Sequence, residues 1–269
     1  MDYLRDLAEW STLAVAVVLL ITQLVAHEIG YRLGANSREG SRGQMENVGV
    51  IVAGMLALLA FVLALTLSYS TTRFNERRQG ALAEANAIGT AWLRANAIGT
   101  PQALTIAHQF EAYLKAREDF VQAGLDGQAI AKANQDTSAL QQSIWFGVGS
   151  MVRERPDPVS ASLMSAVNEA FDAGSTERLA LEIRLPWQIF WLLVGVMHLA
   201  AASLGYQFGL RGKAVRILIL LLLITWTSVI VEILDLASPR VGNFRTNVAV
   251  YEWTRQTIQQ MGYPSTAAK

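Results

Sequence analysis

The sequence predicts an all-α integral membrane protein with four transmembrane helices and a helical soluble domain inserted between the second and the third. Hydrophobic residues make up 52% of the 269 positions and charged residues only 16%, a balance typical of membrane proteins rather than of soluble enzymes. Four apolar stretches are each long enough to cross roughly 30 Å of hydrocarbon as a helix. The sequence shows no alternating strand pattern of useful length.

The four apolar stretches form two membrane-spanning pairs. They cover about residues 10–29, 48–69, 187–208 and 215–236. Aromatic residues at their ends, such as Trp10, Tyr69 and Trp187, suit the interfacial zones of a bilayer. The acidic start and the length of the first stretch predict a retained span rather than a cleaved signal peptide. We therefore expect residues 1–70 to hold the first pair and residues 187–238 the second.

Residues 71–186, between the two pairs, are predicted to form the soluble helical domain. Helical patterns cover roughly residues 72–98, 101–123, 127–154 and 158–184. Thr100-Pro101 and Asp157-Pro158 are typical helix starts, because proline tolerates the first helical turn and the residue before it can cap the helix. Residues 239–269 form a C-terminal tail, which we expect to pack on the soluble domain.

Charge and composition exclude several classes of function. The 22 basic and 22 acidic residues leave a net charge of zero, which gives no indication of a nucleic-acid partner. The absence of cysteine excludes disulfides, thiolate catalysis and cysteine-ligated metals. The sequence contains no Ser-His-Asp arrangement, no phosphate-binding glycine loop and no convincing metal-ligand spacing. We predict that the protein is not an enzyme and holds neither a cofactor nor a metal.

The second span carries a candidate pore-lining face. Helical spacing places Ala57, Phe61 and Leu65 on one side of the helix, at i, i+4 and i+8. If several copies surrounded an axis, this side would form an apolar constriction that can gate by dewetting. Arg73 and Arg77 would then form a basic ring at the pore mouth, which favours anions. Packing against lipid or other helices, and interfacial anchoring of the arginines, explain the same spacing.

The fourth span ends in a second candidate site. Pro239 cannot continue the helix, and Arg240 follows within reach of Asp235 if the chain turns back. We predict a structural clasp between Asp235 and Arg240 that fixes the exit of the chain from the membrane. An ion path through the acidic residues is the alternative.

Three sequence runs resemble known membrane proteins. Residues 61–75, FVLALTLSYSTTRFN, resemble the neck-forming second helix of the bestrophin anion channels. That family carries Phe-Val-Leu-Gly-Phe-Tyr-Val, followed at the same distance by Arg-Trp-Trp. Residues 76–94 and 234–242 are similar to the uncharacterised bacterial bestrophin-like membrane protein family, and that similarity extends over most of the chain.

Some residues depart from the bestrophin pattern. Ala64 replaces the neck glycine, Leu65 replaces an aromatic residue and Phe74-Asn75 replaces the Trp-Trp pair. No acidic cluster in the sequence resembles the calcium clasp of the family.

The resemblance implies a homo-oligomer, by family pattern a pentamer, in the lipid bilayer. The second span would surround a central pore for small inorganic ions, and Ala57, Phe61 and Leu65 would match the neck constriction. The helical domain and both termini would lie in the cytoplasm of a bacterial inner (plasma) membrane, although the distribution of lysine and arginine leaves the sidedness open. The expected function is that of an oligomeric bestrophin-like ion channel, with anions as the candidate permeant ions.

A different class of function is a non-conducting membrane scaffold or sensor whose helical domain binds a partner protein. That function predicts an exposed apolar patch on the first helix of the domain, for example at Ile88 and Trp92. A secondary transporter is a weaker third alternative, because its spans are often broken by glycine or proline near the membrane centre and no span here contains proline.

Overall fold

The computed structural model describes residues 12–38, 45–183, 185–212, 215–240, 242–246 and 248–262. Within these ranges the chain forms eight α-helices and no strand, which confirms the predicted fold class. The helices are α1 (Thr12–Asn36), α2 (Met45–Ile98), α3 (Pro101–Gln122), α4 (Gly127–Glu154), α5 (Pro158–Glu182), α6 (Trp187–Arg211), α7 (Arg216–Ala237) and α8 (Ala249–Gly262). Trp10, the predicted start of the first span, lies outside the described residues.

The chain divides into two compact units. The first, here the membrane unit, comprises Met1–Arg73, Arg184–Ser238 and Gly242–Phe244. The second, here the helical domain, comprises Phe74–Ile183, Pro239–Val241 and Arg245–Lys269. Helix α2 contributes its first part to the membrane unit and its second part to the helical domain.

Four of the described helical stretches are long and apolar enough to cross a membrane, which confirms the predicted number of spans. The apolar residues lie in α1, the first part of α2, α6 and α7. A helix suits this environment because it satisfies its backbone hydrogen bonds internally, where no water is available to do so. Helix α6 ends at Arg211, and the positive φ of 66° at Gly212 gives the left-handed cap that stops the helix.

Helices α1 and α6 pack together through four glycines. Gly30 and Gly34 lie on α1, and Gly205 and Gly209 lie on α6. At each position an added Cβ atom would overlap a carbonyl oxygen of the facing helix. The facing positions rise together along both helices, so α1 and α6 run parallel. Small residues four apart allow this approach, which gives van der Waals contact that larger side chains would prevent.

A buried hydrogen bond joins α1 to α7 in the same unit. The side-chain nitrogen of Gln23 donates to the hydroxyl oxygen of Thr227 over 2.7 Å, and both residues are buried. Polar side chains in spans bond across helices in this way because hydrocarbon offers them no other partner.

The helical domain has an aromatic core. The rings of Phe110 and Phe171 lie 6.0 Å and 5.8 Å, respectively, from the ring of Tyr113. Two helix starts follow the sequence prediction: the Thr100 side chain accepts from the backbone of α3, and Asp157 forms a capping box at the start of α5. In α8, Tyr251 and Ile258 are buried in the same hydrophobic cluster as the rest of this core.

The four glycines allow a stability prediction for the α1–α6 pair. We expect Gly205→Ala to lower the free energy of unfolding by about 3 kcal/mol, the upper part of the usual range for overpacking. The reason is that the new methyl group must displace the facing backbone rather than a flexible side chain. Thermal unfolding of the purified protein in detergent measures this. Gly195→Ala, on the same helix with no atom within 4 Å of its added Cβ, is the control. Equal effects of the two changes would contradict the prediction.

Candidate pore helix and buried ionic cluster

Within the membrane unit, α2 buries one face against the other spans. Leu59, Leu63, Thr66 and Ser70 are all buried and recur every three to four residues. Leu59 and Leu63 belong to a cluster that includes residues of α6 and α7. This spacing keeps the buried side chains on one stripe of the helix.

The opposite face of α2 is uncovered. Ala57, Phe61 and Leu65 are all exposed, with Phe61 at 60% and Leu65 at 55%. At about 100° per residue these three residues lie roughly half a turn around the helix from the buried stripe. The helices of one chain therefore leave this apolar face open to lipid, to a pore or to another copy of the chain.

The two arginines predicted at the pore mouth occupy different environments. The Nε atom of Arg73 donates to the hydroxyl oxygen of Tyr69 over 3.2 Å, and its guanidinium lies 5.2 Å from the centre of that ring. Arg73 is half-buried. Arg77 is only 2% exposed and lies inside the helical domain. Its burial differs from the basic ring at the pore mouth that the sequence predicts, because α2 turns this position toward the domain core.

A buried ion pair lies at the centre of the helical domain. The Arg117 guanidinium on α3 donates from Nε and Nη2 to the carboxylate of Glu84 on α2, and both residues are buried. The Tyr251 hydroxyl of α8 donates to the same carboxylate over 2.6 Å. Arg117 also donates to the carbonyl of Gly174 on α5 over 3.1 Å. These bonds connect four helices and compensate the desolvation of both charges.

The two tyrosines beside this ion pair stay protonated. Burial and the negative charge of Glu84 raise the pKa of Tyr113 to about 12. The same two causes, burial first, raise the pKa of Tyr251 well above its ordinary value. Both phenols therefore remain hydrogen-bond donors throughout the physiological pH range.

A second carboxylate, Glu177, lies in the same cluster but lacks hydrogen bonds. It is fully buried on α5, and neither of its carboxylate oxygens has a hydrogen-bond partner. Burial, followed by repulsion from Glu84, raises the pKa of Glu177 to about 8, although Arg117, Arg77 and Arg240 act in the opposite direction. The ionisation of Glu177 therefore changes with pH near and just above neutrality.

The predicted clasp residues each have other contacts. Asp235 accepts hydrogen bonds from the backbone and side-chain nitrogens of Asn243, at 2.9 and 3.1 Å. Between them lies Gly242, with a φ of 90°, where an added Cβ would overlap the Asp235 carboxylate. Arg240 donates to the carbonyl of Phe120 over 2.9 Å, and its guanidinium lies 4.6 Å from the centre of that ring. The pairing of Asp235 with Arg240 stays a prediction.

The ionic cluster of Glu84, Arg117, Glu177 and Tyr251 was not predicted from the sequence. One signal was present: Arg77 and Glu84, seven residues apart, fall on the same face of α2 as buried Ile88. Charged residues on the apolar stripe of a helix indicate buried partners. Among the described residues, no group of three or more histidine, aspartate or glutamate side chains is arranged to hold a metal ion.

No family model and no curated protein matches the sequence. Solved structures, in contrast, match almost the whole chain. A crystal structure of a bacterial bestrophin homologue from Klebsiella pneumoniae has a TM-score of 0.66 at 14% identity, and the match covers 94% of this chain and 100% of the other.

A single-residue variant of that homologue has a TM-score of 0.71 at 13% identity, with 94% and 99% covered. A crystal structure described as a membrane protein has a TM-score of 0.68 at 14% identity, again with 94% and 99% covered. The chain has the bestrophin fold. The resemblance to bestrophins inferred from the sequence is therefore confirmed at the level of the fold.

The ion pair in the helical domain allows a second stability prediction. We expect Arg117→Ala to lower the free energy of unfolding by about 3–5 kcal/mol, because the change leaves the Glu84 charge buried without its partner. Arg178→Ala is the control, since Arg178 and Glu182 form an exposed ion pair of the kind that contributes less than about 1 kcal/mol. Denaturant unfolding in detergent compares the two. A loss with Arg117→Ala no larger than that of the control would contradict the buried pair.

Proposed function

We propose that this chain is a subunit of an oligomeric ion channel in which α2 lines the pore. The observation that carries the proposal is the exposed apolar face of Ala57, Phe61 and Leu65, directly opposite the stripe that α2 buries in its own unit. The bestrophin fold supports it, because the sequence resemblance to the bestrophin neck covers the same helix. Around a symmetry axis these residues would form the narrowest part of the pore.

The proposed constriction acts by excluding water. Ala57, Phe61 and Leu65 follow one another at four-residue intervals, so they are stacked about 6 Å apart along the helix. A narrow apolar ring of this kind hydrates poorly, and an ion that crosses it must lose part of its hydration shell. Phe61 has the largest side chain of the three and would set the width of the constriction.

Ion preference in this proposal depends on Arg73. Arg73 is half-buried and its guanidinium is held against Tyr69, about two helical turns beyond Leu65 of the proposed constriction. A ring of such cations favours anions over cations. Arg77 has no part in the proposed mouth, because it is buried in the helical domain.

The assembly and its location are also proposed by analogy with the bestrophin resemblance. The channel would be a homo-oligomer of five subunits in a bacterial inner membrane, with the helical domain in the cytoplasm. Such an assembly needs no catalytic residue or cofactor, since its task is to provide a path for small ions.

The exposed apolar patch that the scaffold alternative predicts at Ile88 and Trp92 is not present at these two residues. Ile88 is 0% exposed and Trp92 is 2% exposed, so these two residues form no apolar patch for a partner protein. Recovery of a stoichiometric partner from a membrane extract, together with an absence of ion flux, would nevertheless favour this function over a channel.

The proposed constriction predicts that Phe61→Ala increases ion flux through purified protein in liposomes. If the ring contributes about 1.4 kcal/mol to the barrier, its removal raises the rate about tenfold. Leu218→Ala is the control, because Leu218 is an equally exposed apolar residue on α7. Unchanged flux with Phe61→Ala, or the same increase with the control, would contradict a constriction at this residue.

The proposed mouth predicts a loss of anion preference in Arg73→Gln. Replacing the charge removes the positive potential that attracts anions, so the reversal potential in a potassium chloride gradient should move toward that of a less anion-selective pore. Arg94→Gln, on the same helix but within the helical domain, is the control. A reversal potential that does not move would exclude Arg73 as a determinant of selectivity.

A further inference from the structure

The carboxylate of Glu177 lies against the backbone of α2. A Cβ atom added to Gly80 would be 2.5 Å from the Oε2 atom of Glu177. The absence of a side chain at Gly80 therefore provides the space that the carboxylate occupies. Both oxygens are buried without a hydrogen-bond partner, and an ionised carboxylate in that state carries a large desolvation penalty.

Charged and titratable groups from several parts of the helical domain face this carboxylate. They are Arg77 and Glu84 of α2, Arg117 of α3, Tyr251 of α8, and Arg240. Of these groups, Arg117 and Tyr251 already bind the other carboxylate, Glu84. The positive charge of Arg117 is thus shared between the two carboxylates, and a proton on Glu177 removes the repulsion between them.

We propose that Glu177 is a reversible proton-binding site, and that its protonation regulates ion flow through the pore lined by α2. The regulatory half of this statement rests on the proposed channel function. The protonated carboxyl packs closely against Gly80. Loss of the proton to solvent places a second negative charge beside Glu84 and drives the carboxylate away from α2.

The structure offers a direct route from this site to the proposed constriction. Gly80 and Phe61 both lie on α2, which is one helix from Met45 to Ile98. The helix contains no proline, which is a common cause of sharp kinks. A change in packing at Gly80 therefore acts on the same element that carries the pore face.

The first experiment tests proton binding without any measurement of flux. Because the pKa of Glu177 is raised to about 8 in the folded protein, the folded state holds a proton that the unfolded state loses above its ordinary pKa. The stability contribution of that proton is present in acid and is lost as the pH rises through about 8. We expect the melting temperature of the wild type to fall from about pH 5 to about pH 8 and to level off at higher pH, where both states have lost the proton.

Glu177→Gln should remove most of that fall, because the amide cannot ionise. Glu169→Gln, at an exposed position on the same helix, should follow the wild type. Glu177→Ala provides a second variant without a titratable group if the glutamine variant folds poorly. Parallel pH curves for the wild type and both Glu177 variants would overturn the proton-binding site.

The second experiment tests regulation, with chloride and potassium flux from liposomes buffered at the same pH on both sides. The ratio of ionised to protonated Glu177 changes about tenfold per pH unit, so we expect flux in the wild type to change steeply around pH 8. Glu177→Gln should keep the acid-pH rate throughout, while Glu169→Gln follows the wild type. A pH-dependent flux that is identical in Glu177→Gln would overturn the regulatory role.

An absence of flux in every protein, at every pH, would contradict the proposed channel and with it the regulation. The melting curves would still decide whether Glu177 binds a proton. The failure of the channel proposal and the failure of the proton site are therefore distinguishable.

Discussion

The constraint on which the rest of the structure depends is the hydrogen bonding of α2. A segment that crosses hydrocarbon must satisfy its backbone polar groups internally, and α2 does so as one helix of 54 residues. The same helix then supplies Arg77, Gly80 and Glu84 to the helical domain. One helix thus carries the exposed apolar face in the membrane unit and contributes Glu84 to the buried ionic cluster in the helical domain.

The two units are stabilised by different means. In the membrane unit, water contributes no hydrophobic driving force between helices, so close backbone approach and interhelical hydrogen bonds provide the specificity. The glycines of α1 and α6 and the bond from Gln23 to Thr227 serve this purpose. The helical domain instead buries aromatic side chains around an ion pair that connects four of its helices. Loss of either partner of such a pair is costly, because it leaves the other charge buried without compensation.

The sequence predicted the helices well and the site only in part. Apolar length defines the spans, and capping residues such as Thr100 and Asp157 define helix starts within a residue. The partners of Glu84 could not be predicted in the same way, because Tyr251 is 167 residues away in the chain and periodicity carries no information about such pairs. The contacts of the α1–α6 glycines were not predicted from the sequence, because only the facing backbone shows why each must lack a Cβ.

The most direct test of the central proposal is whether Phe61 faces an aqueous pore. The protein contains no cysteine, so Phe61→Cys introduces a single thiol that a charged, membrane-impermeant reagent can modify. Leu218→Cys, at an exposed apolar position on α7, is the comparison on another span. If α2 lines the pore, the reagent changes ion flux through the Phe61→Cys protein and leaves the Leu218→Cys protein unaffected. Equal or absent effects at both positions would contradict a pore lined by α2.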